Sequence, residues 1–214
     1  MISGNALPFQ ANEVKVLDPP SCDATDTAVR PTLYVGIGST GNKIIQKIKT
    51  QLVARYGSME NLPSFKLHAI DSDREAVNEI IRTSTSPLEG KELIETPLKK
   101  PEAYRDQKKS HLNWLSRRWI YNIPRTLQTE GLRPLGRLAY SDNFDRIYNT
   151  LEESIREISK PENLAATADT LDIDPGSLTP RIIVVTSISG GVGSGMALDL
   201  AYSCLLYTSP SPRD

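Results

Sequence analysis

Two glycine-rich turns, each set between an apolar run and a helical pattern, constrain this chain more than any other feature. The first follows Pro31–Gly38, a short β-rich run, and reads Gly36-Ile37-Gly38-Ser39-Thr40-Gly41. The stretch after it places Ile44, Ile45, Ile48, Leu52 and Val53 on one helical face, with Lys43, Lys47 and Lys49 outside that stripe. The second follows Arg181–Thr186, an almost uninterrupted apolar run expected to form a strand covered on both faces. It reads Ser187-Ile188-Ser189-Gly190-Gly191-Val192-Gly193-Ser194-Gly195 and opens onto another helical pattern. Between them, Phe65–Ile70 alternates as a strand ending at Asp71. Asp73 can cap the helix that carries Ala76, Val77, Ile80 and Ile81. Strand, glycine turn and helix in repeated succession predict an α/β fold, a parallel sheet flanked by helices.

The remaining segments read less regularly. Residues 1–30 scatter Pro, Asp, Thr and Ser without period and read as a flexible leader. Thr83 to Ala103 reads as loop, His111 to Tyr121 as a helix carrying Leu112, Leu115 and Trp119, and Gly131 to Gly136 as a turn-rich connection. Phe144, Ile147, Leu151, Ile155 and Ile158 mark an amphipathic helix over about residues 141–159, and residues 160–180 read as a linker or surface excursion. The last eleven residues, Cys204 to Asp214, resemble a translated sequencing adapter. Their Ser-Pro-Ser-Pro interrupts a helix opened at Met196. The expectation is therefore a native sequence running to about Ser203, so that residues 31–203 form the N-terminal part of a domain and 204–214 a non-native tail. A natural flexible tail is the alternative.

Composition narrows the function classes. The formal net charge of the 214 residues is −1, with 24% charged and 38% apolar residues. That balance excludes collagen and a wholly disordered chain, and offers no basic excess for non-specific nucleic-acid binding. No run of eighteen apolar residues spans a bilayer. Two cysteines, Cys22 and Cys204, make no disulfide framework, and a cytoplasmic location is expected.

Both glycine turns suit a phosphate. Glycines let backbone amides approach an anion closely, and a helix N-terminus adds unpaired N–H groups and partial positive charge. Four glycines in the six residues from Gly190 to Gly195 form such a nest, with Ser189 and Ser194 adding hydroxyls. No lysine stands where a P-loop would place one, so a P-loop ATPase is disfavoured and a nest here depends on amides, hydroxyls and a metal. One alternative is a Rossmann-type NAD(P) oxidoreductase using the first turn alone. Asp71 lies 30 residues beyond Gly41, past the roughly 20 expected for its ribose-binding acid. A second is a structural scaffold whose glycines only make turns. His68 and His111 are isolated and read as exposed or strand-face residues, Trp114 and Trp119 as packing, and Lys99-Lys100 and Arg117-Arg118 as solvated charge.

The second turn resembles the tubulin/FtsZ signature loop, G-G-G-T-G-S-G. Gly190, Gly191, Gly193, Ser194 and Gly195 match, while Ser189 replaces the first glycine and Val192 the threonine. The first turn is similar to that family's opening loop at Gly36, Gly38, Gly41 and Asn42, and Asp71-Ser72-Asp73 falls where the family has a short acidic loop. Gly136 and Arg137 within GLRPLGRLAY resemble the bacterial tubulin-like group in particular. The resemblance implies a Rossmann-like tubulin/FtsZ domain, incomplete at its C-terminus, that binds GTP or GDP with Mg²⁺. It implies contacts from Gly36, Gly38, Ser39, Thr40, Gly41 and Asn42, from Asp71 and Asp73, and from Ser189, Gly190, Gly191, Val192, Gly193, Ser194 and Gly195. Val192 removes one hydroxyl from that set. Metal ligands stay unassigned. Self-association of the full-length protein, as a self-assembling GTPase, is also implied. The family's hydrolytic acids come from a later loop of the neighbouring subunit, so no residue here is expected to be catalytic.

Overall fold

The structure, a computed structural model, describes residues 28–106 and 113–208. Four strands, β1 (Thr32–Ile37), β2 (Phe65–Asp71), β3 (Leu93–Glu95) and β4 (Arg181–Thr186), form one sheet of order β3-β2-β1-β4. Every pairing is parallel. Eight α-helices accompany them among the described residues. Four lie in the first half: α1 (Gly38–Tyr56), α2 (Arg74–Arg82), α3 (Pro101–Asp106) and α4 (Arg117–Tyr121). The others are α5 (Arg133–Asp142), α6 (Phe144–Ile158), α7 (Pro161–Leu171) and α8 (Gly191–Thr208). The parallel α/β class read from the strand and glycine-turn succession is the one observed.

Period-two alternation sorts β1 between two layers. Leu33, Val35 and Ile37 are fully buried in the main core, with α5, α6 and α8 supplying Leu135, Leu138, Ile147, Ile158, Met196 and Leu200. Tyr34 faces the other layer, where Ile45 of α1 packs with Leu67, Ala69 and Leu88. The register sets the functional edge. Ile37 stands opposite Ile70 on one side and Thr186 on the other, so the chain leaves all three strands at one level.

The inward face of α1 differs from the expected apolar stripe. Gly41, Asn42, Ile45, Gln46 and Lys49 are buried, while Ile44 is 41% exposed. Gly36 and Gly41 cause the rotation: a Cβ on Gly36 would lie 2.7 Å from Ile45 Cγ1, and one on Gly41 would collide with the Val185 carbonyl oxygen. Only with both side chains absent can α1 settle this closely on the sheet. The polar groups turned inward find partners. Gln46 Nε2 donates to Ser84 Oγ (2.8 Å) and the Ser86 carbonyl (2.7 Å), and its Oε1 accepts from Leu88 N (3.0 Å). Lys49 Nζ donates to Glu92 (2.7 Å) and the Pro87 carbonyl (2.9 Å). This clasp fixes the stretch expected as loop and delivers β3, a three-residue edge strand too short to show a pattern.

Other expectations change for identifiable reasons. The turn expected at Gly131 to Gly136 and the linker at residues 160–180 contain α5 and α7. Their prolines, Pro134 and Pro161, sit at the second and the first helical position, where a missing N–H costs nothing. The helix expected from 141 is two, broken at Asn143. The helix expected over residues 111–121 is the short α4, while His111 and Leu112 lie outside the described residues. The strand β4 is half-buried rather than covered on both faces, because it is an edge of the sheet among the described residues. Most of the expected leader, with Cys22, lies outside the described residues, whereas Val29 is buried and bridges to Pro175. Helix α8 runs unbroken through a buried Cys204, and residues 209–214 lie outside the described residues.

Candidate functional site

A cleft of about 260 Å³ opens at the C-terminal edge of the sheet, between the two glycine turns. Ligands of open parallel sheets bind at this edge. Gly38 makes the exit from β1 with φ +74°, a conformation glycine adopts without strain. A Cβ there would sit 3.5 Å from the Gly193 amide nitrogen, so the two turns meet across the cleft. Ser39 and Thr40 lie in the first turn of α1, which has no side-chain cap. Opposite, Ser189, Gly190, Gly191, Val192 and Gly193 complete the wall.

The second turn is shorter than its glycines suggest, because α8 already begins at Gly191. None of Gly190, Gly191, Gly193 or Gly195 has positive φ. Their lack of side chains serves close approach instead. A Cβ on Gly193 would collide with Thr186 Oγ1 and the Ser187 carbonyl, whereas one on Gly190 meets nothing within 4 Å. Val192 is buried in the main core, so the residue standing in the threonine position packs instead of offering a hydroxyl.

Five of the expected site residues stand off the cleft. Gly36 and Gly41 seat α1 on the sheet, as described above. Asn42 is fully buried beneath the cleft floor, where its Nδ2 donates to the Ile70 carbonyl (3.2 Å) and to Asp71 Oδ2 (3.3 Å). Gly195 packs against α5, a Cβ there lying 2.5 Å from the Arg133 carbonyl. Ser194 Oγ donates to the Gly190 carbonyl (2.5 Å) within the first turn of α8. Ser194 and Gly195 line a separate cavity of about 330 Å³ behind the turn, beside Arg137, whose guanidinium sits 5.1 Å from the Trp114 ring centre and pairs with Asp199 (3.0 Å).

The carboxylates of the floor differ in environment. Asp71 is 2% exposed, and burial pushes its carboxyl up to about 6 despite backbone N–H donors from Asp73 and Ser72. Asp73 Oδ1 accepts from Glu75 N (2.9 Å) and Ala76 N (3.2 Å), the expected cap of α2. The same oxygen accepts from Gln128 Nε2 (2.9 Å). Below the floor His68, expected as exposed or strand-face, is buried on β2 with Nε2 2.7 Å from Ser154 Oγ. Burial, reinforced by Lys66, pulls it down to about 4.

Gln128 belongs to a wall that the sequence did not signal as functional. Gln128–Gly131, the approach to α5, lines the cleft beside Asp73. Leu127 (φ +58°), Glu130 (φ +44°) and Gly131 (φ +78°) all adopt the left-handed region. Two of these are not glycine, and such backbone is costly unless its surroundings hold it. The turn residues of GLRPLG were the only available signal. Asp71, Asp73 and Glu130 line the cleft, and no lysine or arginine does among the described residues. No group of three or more His, Cys, Asp or Glu residues able to hold a metal occurs among the described residues.

A parallel α/β sheet whose glycine turns meet at the strand ends over a polar cleft defines a protein of the Rossmann-like class. The tubulin-like family model matches residues 33–206, and the chain belongs to that family. Searches of curated proteins and of solved structures return no significant match.

Proposed function

We propose that this chain binds a guanine nucleotide, GTP or GDP with Mg²⁺, in the cleft between its glycine turns. The observation that carries the reading is the meeting of both turns at one site. A dinucleotide fingerprint accounts for the first alone, whereas a phosphate chain laid between Gly38 and Gly190 uses both. Uncapped amides at Ser39 and Thr40, the start of α8 and the hydroxyl of Ser189 are the donors offered to phosphate oxygens. Asn42, Gly36, Gly41 and Gly195 support that cradle from behind. When bound, Mg²⁺ offsets phosphate charge. Asp71 and Asp73 are the residues nearest to serve it, with nucleotide oxygens and water completing its shell. Membership of the tubulin-like family supports self-association of the assembled protein, and no residue of this chain is assigned a hydrolytic role.

Calorimetric titration tests the reading. GTP and GDP should bind the wild type in the presence of Mg²⁺ and compete with each other. Gly190→Val, whose Cβ would meet no protein atom within 4 Å, should remove binding while the protein stays folded, at the small stability cost of valine in the residue before α8. Unaltered affinity in a folded Gly190→Val protein, or displacement of GTP by NAD, would contradict it.

A further inference from the structure

Glu130 is the least compensated charge of the cleft. Asp73 shares its negative charge among two backbone N–H groups at the start of α2 and the Gln128 amide. Asp71 is held by the Asn42 amide and the Asp73 backbone N–H. Glu130 accepts one hydrogen bond, from the Thr126 hydroxyl (2.9 Å), and forms no ion pair among the described residues. It is solvent-exposed on the cleft wall and sits at φ +44°, a backbone conformation in which glycine, not glutamate, is at ease. A phosphate cradle that only collected anions would carry glycine or a cation there.

Resting on the nucleotide reading above, we infer that Glu130 is a specificity-determining residue: its carboxylate makes triphosphate binding depend on a divalent cation. With no lysine or arginine lining the cleft among the described residues, a bare triphosphate meets three carboxylates, opposed only by backbone amides, a hydroxyl and the partial positive charge of helix N-termini. A cation-complexed triphosphate brings its own neutralisation. A diphosphate carries less charge and is discriminated against less. Glu130 thereby selects the cation complex over the free nucleotide, and it does so by repulsion rather than by a new attractive contact.

The test measures equilibrium affinity for GTP and GDP, in Mg²⁺ and in excess chelator, on the wild type, Glu130→Gln and Glu130→Asp. Chelation should weaken GTP binding to the wild type more than GDP binding. Glu130→Gln should recover about tenfold of the chelator loss for GTP, the factor that roughly 1.4 kcal/mol of relieved repulsion gives. Glu130→Asp, which keeps the charge, should behave as the wild type. An equal chelator loss in Glu130→Gln and wild type would overturn the role of Glu130 while leaving nucleotide binding intact. No nucleotide binding to the wild type in Mg²⁺ would overturn the nucleotide reading, and this one with it.

Discussion

Individual glycines with similar sequence surroundings do different work in this cleft. Gly193 lacks a side chain because Thr186 and Ser187 occupy the space, and Gly190 lies open to the cleft. Gly193→Ala should therefore lower unfolding stability by about 1–3 kcal/mol, as overpacking does, while Gly190→Ala, which meets no such clash, should cost less in urea denaturation. A second pair of residues sets opposing pH dependences. Asp71, raised to about 6 by burial, favours its neutral form in the folded state. Its stabilising contribution is full below its unfolded value near 4 and is lost as pH rises through about 6. His68, lowered to about 4, contributes fully above its unfolded value near 6.5, and that contribution is lost as pH falls through about 4. Between pH 4 and 6 the two slopes oppose each other. Relative to wild type, Asp71→Asn should gain stability as pH rises across that window and His68→Gln should lose it, each by on the order of 3 kcal/mol. Urea denaturation at several pH values measures both.

At the level of elements, periodicity identified β1, β2, β4, α1, α2 and α6, and missed what tertiary contact decides. An apolar stripe on α1 was a fair reading of its isoleucines. The absent side chains at Gly36 and Gly41 rotate the helix, and Gln46 and Lys49 become the groups that hold the α2–β3 connection. Lys49 and Glu92 are both nearly enclosed, so Lys49→Met alone should leave the Glu92 carboxylate with the Glu89 N–H but no cation, and cost about 2–3 kcal/mol. Adding Glu92→Gln should restore most of that loss in thermal denaturation. The prolines at the starts of α5 and α7 hide both helices in the sequence, because proline marks a helix start and a helix stop alike. Helix α5 approaches α8 through Gly136 and Gly195, where backbone meets backbone. That contact is invisible in the sequence, where both glycines read as parts of turns and not as helix residues.

Taken as a molecule, the chain showed its class and most of the lining of one cleft through two turns, because strand–glycine–helix succession places such turns at one edge of a parallel sheet. Ten of the fifteen expected residues line the cleft. The other five match the family motif, yet Gly36, Gly41, Asn42 and Gly195 pack behind the cleft and Ser194 bonds back to the Gly190 carbonyl. The third wall, Gln128–Gly131, was illegible because it reaches the cleft only through the fold, and its strained backbone leaves no mark in residue types. The central claim is that one nucleotide engages both glycine turns together. Hydrogen exchange of the wild-type protein with and without Mg²⁺–GTP tests this most directly. The account predicts slowed exchange in Gly38–Asn42, Gln128–Gly131 and Ser189–Gly193 at the same nucleotide concentration. Protection confined to Gly38–Asn42, or none in any of the three segments, would contradict it.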